Sequence, residues 1–208
     1  MDEEQGQVVP TVVSFYTPHK IYRDFAAELI IACDSVGLDH FVVEAEDRGS
    51  WVANCARKGP FCLEMMHFLE RPILWIDADG KPKRMPDLLI DTDKDFGIYA
   101  FNGGRVRFPP GRGRRELPKS WPDPPRWFNS GTVFFNNTTG AVQLLERWAD
   151  LCLERPGDWD QWLLQEAWCE STPSTEWLPK AYCAIGGKGT DPVIVHDMAS
   201  TLQRGIQR

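Results

Sequence analysis

The sequence predicts an α/β fold: one domain whose mostly parallel central sheet is flanked by helices. Three observations carry this expectation. Short apolar or β-branched runs at 8–16, 41–44 and 73–76 alternate with stretches of helical periodicity, an order that implies parallel strands joined by right-handed crossovers. The 208 residues, 42% hydrophobic and 25% charged, suffice for one core around a ligand cleft. No linker divides the chain into two cores, so the domain is expected over 8–199.

Each element has its own local reason. The run 8–16 is β-branched and aromatic and breaks at Thr17-Pro18-His19, as a buried first strand does when it enters a loop. Phe25, Leu29, Cys33 and Val36 then recur at helical spacing, with Gly37 as the stop. After a second strand at 41–44, residues 51–69 hold two helical patterns, with the break expected at Gly59-Pro60. Residues 73–76 form a third buried strand ending at Asp77-Ala78-Asp79, and 96–101 a fourth. The segment 103–127, rich in Pro, Gly and Arg, is too long for an ordinary connector and is expected to be a functional flap. The sheet resumes at 131–135. Thr139 is placed as a helix cap before Val142, Leu145, Trp148 and Leu151, and Asp158 as the cap of a helix running to about Trp168. A last strand at 193–195 delivers His196, and the polar tail 201–208 is expected to be flexible.

The net charge of −7 argues against a surface that coats nucleic acid as a whole, but the charge is uneven. Between residues 103 and 126 seven cations face two acids, a local +5. Six cysteines without Cys-x-x-Cys spacing read as reduced core thiols. No run approaches the ~18 apolar residues that mark a membrane span, and the first residues are acidic, so no membrane partner and a cytoplasmic location are expected.

Asp77 and Asp79 follow a buried strand, where two carboxylates can aim a divalent cation at a diphosphate; a plain strand-end turn is the alternative. Lys58 follows a helical segment and either reaches phosphates or one of these aspartates, or is a surface lysine. Asn129-Ser130-Gly131 offers compact hydrogen-bonding groups for sugar hydroxyls, or makes a tight turn. Asp160-Gln161 opens a helix, where an Asp is favoured by the helix dipole alone. Arg48 contacts phosphate or ribose, or sits in a solvated loop. Most of the nine tryptophans, including Trp75, Trp148 and Trp168, read as core; Trp121 and Trp127 are exceptions by their place in the flap.

The ordered set Tyr16-Thr17, Asn54 and Lys58, Ile73-Leu74-Trp75-Ile76-Asp77-Ala78-Asp79-Gly80, Phe128-Asn129-Ser130-Gly131, Asp160-Gln161 and His196 resembles the GT-A nucleotide-diphospho-sugar glycosyltransferases, a group that includes glycogenin-like retaining enzymes and bacterial and phage relatives. The resemblance implies a Rossmann-like GT-A domain and a sugar transferase using a nucleotide-diphosphate donor, a UDP-hexose foremost, with retention favoured. It implies Mn2+ or Mg2+ on Asp77, Asp79 and His196, and a nucleotide held by Tyr16 and Thr17. It implies that Asp160 and Gln161 face the sugar or acceptor. If the enzyme inverts, Asp160 takes the acceptor proton; if it retains, Asp160 orients the two substrates.

The acceptor stays open. The flap cations Arg112, Arg114 and Arg115, interleaved with Trp121 and Trp127, suit a hydroxymethylated base in phage-type DNA, which would place the protein in a host cytoplasm. An unspecified sugar, protein or small-molecule hydroxyl stands beside it. Two further readings compete: a non-catalytic nucleotide-sugar binder, and a metal-dependent nucleotidyltransferase or phosphohydrolase.

Overall fold

A computed structural model of the chain describes residues 7–102, 126–187 and 191–197. Strand β1 (Thr11–Tyr16) lies between β2 (His40–Glu44) and β3 (Ile73–Ile76), parallel to both. Beyond β3 the direction reverses: β6 (Arg126–Phe135) runs antiparallel to β3 and to β5 (Phe96–Asn102), and β7 (Thr175–Trp177) pairs parallel to β5. The six-stranded order is therefore β2-β1-β3-β6-β5-β7, a mixed and largely parallel sheet. A second, three-stranded sheet joins β4 (Gly80–Pro82), β9 (Ile194–His196) and β8 (Ala184–Ile185).

Strand alternation fills two cores from one sheet. Val13, Phe15, Ile73, Trp75, Val133 and Phe135 face one side, against helices α3 (Lys58–Leu69), α4 (Thr139–Glu154) and α5 (Asp160–Ser171). Val12, Leu74, Ile76 and Phe134 face the other, against Leu29 and Cys33 of α1 (Lys20–Val36) and against Val193 and Ile194. Each such fully buried side chain contributes roughly 1.5–3 kcal/mol. All six cysteines are buried free thiols, as their spacing predicts. Among the described residues no helix is long and apolar enough to cross a membrane.

The structure moves several boundaries. The helix break falls at Ala56–Arg57, between α2 (Trp51–Cys55) and α3, earlier than Gly59-Pro60. Pro60 then occupies the first turn of α3, where its missing N–H would have had no helical partner. Helix α4 is capped by Thr138, whose hydroxyl accepts from Ala141 N at 3.2 Å, not by Thr139. Helix α5 begins at Asp160 with Trp159, not Asp158, at the cap. Strand β6 begins at Arg126, so Asn129-Ser130-Gly131 lies inside a strand and is not a tight turn.

That strand contains an irregularity with consequences for the site. Ile98 pairs with Val133 and Ala100 with Phe128, so two steps along β5 face five along β6. The surplus lies in 129–132, and a bulge of this kind re-aims the side chains around it. Phe128 and Val133, an odd number apart, therefore face the same core.

Candidate functional site

The carboxyl ends of β1 and β3 open into a cavity of about 460 Å3, a size common for ligand sites. Tyr16, Thr17 and Tyr22 wall one side; Trp51 and Lys58 wall the side of α2 and α3; Asp77 and Asp79 lie at the end of β3. Burial raises the Tyr22 phenol to about 12, assisted by the nearby acidic groups Cys55, Asp79 and Asp77, which keeps it a neutral hydroxyl. The loop after β2 is shaped by Asp47, whose Oδ1 accepts from Asn54 Nδ2 (2.8 Å) and Gly49 N (2.9 Å). Those bonds, Asn54 first, hold its carboxyl below the usual range.

Asp77 and Asp79 are one residue apart and enter different environments. Trp75 and Asp77 share a face of the strand, and Trp75 Nε1 donates to Asp77 Oδ1 at 2.9 Å. The same oxygen lies 2.7 Å from Lys58 Nζ. Lys58 is 6% exposed, and its ammonium also meets Asp160 Oδ2 at 3.1 Å and stands 5.5 Å from the centre of the Trp75 ring. Burial is the largest influence on this amine and disfavours its charge, but Asp160 and Asp77 outweigh it and hold the pKa well above the ordinary lysine value. Ser130 Oγ donates to Asp160 Oδ2 at 2.6 Å. Lys58 is thus no surface lysine: it joins α3, the end of β3 and the start of α5.

Asp79 turns towards the second sheet. Gly80 N donates to Asp77 O (2.7 Å), closing the turn, and Gly80 then pairs with His196 across the β4–β9 ladder. Asp197 N donates to Asp79 O at 3.2 Å. These backbone bonds bring His196 Nδ1 to 3.4 Å from Asp79 Oδ1, while His196 Nε2 lies 2.8 Å from Thr132 Oγ1. Both side chains are buried. Space for the imidazole depends on two glycines: a Cβ on Gly80 would lie 3.0 Å from His196 Cε1 and one on Gly131 3.3 Å. The bulge in β6 explains how one strand serves both groups. Ser130 reaches Asp160 on the α5 side, and Thr132 reaches His196 on the other.

The donor chemistry fits a hard divalent cation in part. Carboxylate and imidazole suit Mn2+ or Mg2+, and a Thr132 oxygen accepting the Nε2 proton would leave the Nδ1 lone pair towards Asp79. Among the described residues, however, no cluster of three or more His, Cys, Asp or Glu side chains stands ready as a cage. Asp79 and His196 are together, whereas Asp77 Oδ1 is engaged by Lys58 and Trp75.

The other expected site residues separate. Tyr16 and Thr17 line the cleft. Arg48 is exposed on the loop, and its backbone N–H donates to Asn54 Oδ1 at 2.8 Å. Asn129 folds back on its own strand to accept from Gly131 N at 2.9 Å, and Ser130 is spent on Asp160, so both side chains are bonded within the protein. Gln161 is half-buried in the first turn of α5. Trp127 belongs to β6, 8% exposed with its ring 5.1 Å from that of Trp162, and is not a flap residue. Arg112, Arg114, Arg115, Trp121 and most of the 103–127 flap lie outside the described residues, as does the 201–208 tail. Sequence reasoning missed Thr132, Tyr22 and His19; the last two follow the first strand, where a cleft residue was to be sought, and Thr132 carries no such signal.

The fold is one that a glycosyltransferase of known structure also adopts. The architecture matches the crystal structure of a glycosyltransferase involved in the glycosylation of the major capsid of PBCV-1, at a TM-score of 0.66 and 16% identity, covering 96% of this chain and 98% of that one. Residues 113–202 match the model of the nucleotide-diphospho-sugar transferase family, a stretch that contains Asn129-Ser130-Gly131, Asp160-Gln161 and His196. The resemblance read from the sequence is thereby supported from both fold and family. No curated protein sequence matches the chain.

Proposed function

We propose that the chain is a metal-dependent glycosyltransferase that moves a sugar, a hexose foremost, from a UDP-type donor to an acceptor hydroxyl with retention. The observation that carries this reading is the meeting of Asp79 with His196, 117 residues apart, at the end of a cleft opened by two parallel strands. Asp79 and His196, together with Asp77, would hold Mn2+ or Mg2+. Bound there, the cation supplies positive charge to the diphosphate leaving group.

The chain's own residues do the rest. Tyr16 offers an aromatic face and Thr17 a hydroxyl for the nucleotide. Lys58 stays charged and holds Asp160 in place. Asp160 Oδ2 is already shared by Lys58 and Ser130, which favours a carboxylate that orients sugar and acceptor over one that takes up a proton. Gln161 supports the sugar from the same helical turn.

A screen of UDP- and GDP-sugars with Mn2+, against small acceptors and hydroxymethylated DNA, tests this. The expected products are a nucleoside diphosphate and a glycoside, lost on chelation and in Asp79→Asn. Release of pyrophosphate or orthophosphate would assign the cleft to nucleotidyl transfer or phosphohydrolysis, and donor binding without turnover to a non-catalytic binder.

A further inference from the structure

The two walls of the cleft both end in aromatic side chains, and the transferase reading gives work to only one of them. On the β1 and α1 side stand Tyr16 and Tyr22. On the opposite side Trp51, the first residue of α2, is 36% exposed and lines the same cavity as Asp77 and Asp79. Its ring meets that of Trp159 edge-on, 6.1 Å between centres at 86°. Trp159 is the cap of α5 and directly precedes Asp160, whose carbonyl accepts from Trp148 Nε1 at 3.0 Å and whose carboxylate pairs with Lys58. The Trp51 ring is therefore an apolar face set edge-on against Trp159, which is itself one residue in sequence from the group that stands beside Lys58.

We infer that Trp51, braced by Trp159, is the platform on which a neutral sugar ring of the acceptor stacks. This rests on the transferase reading and names its acceptor class. A large ring left partly in water at the mouth of a ligand cleft gives up burial that a flat apolar partner would restore. The polar surroundings select the partner. Among the described residues the cleft is lined by three carboxylates, Asp47, Asp77 and Asp79, and by one lysine, Lys58, which is already neutralised by Asp77 and Asp160. Sugar hydroxyls bond well to carboxylates, whereas a base carried on a polyanionic strand would bring its phosphates against like charge. A saccharide, or the glycan of a glycoconjugate, fits both the ring and the charge.

The test uses the full chain with Mn2+ and UDP, and methyl glucopyranoside, galactopyranoside and mannopyranoside as probes. UDP affinity is read by calorimetry, and contact of the pyranoside ring protons with the protein by saturation-transfer NMR. At least one glycoside is expected to bind the wild type; Trp51→Ala should weaken it by about tenfold or more, Trp51→Phe should restore most of that loss, and UDP affinity should hold in both. Three results overturn the inference: no glycoside binds although UDP does, Trp51→Ala weakens UDP to the same degree and so marks a nucleobase platform, or a hydroxymethylated oligonucleotide binds through Trp51 in place of the glycosides. Absence of Mn2+-dependent UDP binding by the wild type would fell the transferase reading itself.

Discussion

Asp77 and Asp79 come from one turn, yet the protein treats them as different groups. Asp77 is held by Trp75 and by Lys58, a buried ammonium that also serves Asp160. Asp79 meets one imidazole at 3.4 Å, at the seam between the two sheets. The difference teaches that a pair of acids can divide its labour: one is tied into the charge balance of the core, and the other is kept beside an imidazole nitrogen.

The largest effect that would test this division is on stability. Lys58→Met should cost about 3–5 kcal/mol in urea unfolding, because Asp160 is left buried without its counter-charge. The Lys58 pKa is raised on folding, so its contribution is fully present below the ordinary lysine value of ~10.4 and is lost as pH rises through the higher folded value. A cost that vanishes by pH 8 would place Lys58 outside the charge network.

Asp79→Asn should instead leave the unfolding midpoint close to wild type and lower sugar transfer by about 10²–10³-fold, the loss expected when electrostatic help to a leaving group is removed. Equal losses of stability in the two variants would erase the contrast. Thr132→Val should weaken Mn2+ binding by about 10–100-fold with donor affinity in the absence of metal unchanged, as removal of a partner behind a ligating histidine does; calorimetric Mn2+ titration reads it.

Asp95, remote in role from the cleft, calibrates the scale. It accepts from Thr138 Oγ1 (2.6 Å), Ser174 N (2.8 Å) and Ser174 Oγ (2.7 Å), and these bonds overcome the larger opposing effect of burial to lower its pKa. Asp95→Asn should cost about 1–2 kcal/mol at neutral pH. That difference is present above the ordinary Asp value of ~3.9 and fades as pH falls through the lower folded one. Transfer activity should not change.

The parts of this arrangement that were legible in the chain are those encoded locally. Ile73 to Ile76 read as a buried strand, and the acids after it read as a strand-end pair, because alternation and apolar runs report on neighbours within a few residues. His196 was legible only through its place in an ordered resemblance, since nothing near it in sequence announces Asp79. The pairing of Lys58 with Asp160 spans about a hundred residues, and the sequence offered that lysine phosphates or one of the strand-end aspartates, with a surface position as the alternative, but not Asp160. The bulge in β6 left no mark except a glycine, which needs its missing Cβ for His196 and not for an unusual φ. Pro60 misled for a physical reason: the residue that ends helices is also comfortable in their first turn.

The β4–β9 ladder has a last implication, for the order in which the protein becomes competent. Asp79 and His196 enclose 117 positions of chain, and His196 sits on the last strand of the described fold. A cation shared by these two side chains would clasp most of the C-terminal half of the chain, and the entropy of closing so long a loop makes such a clasp count as folding energy as well as binding energy. A nascent or truncated chain that stops short of residue 196 would thus lack half of the clasp and the strand partner that orders Asp79. If the proposed metal reading holds, activity would switch on only with the final strand.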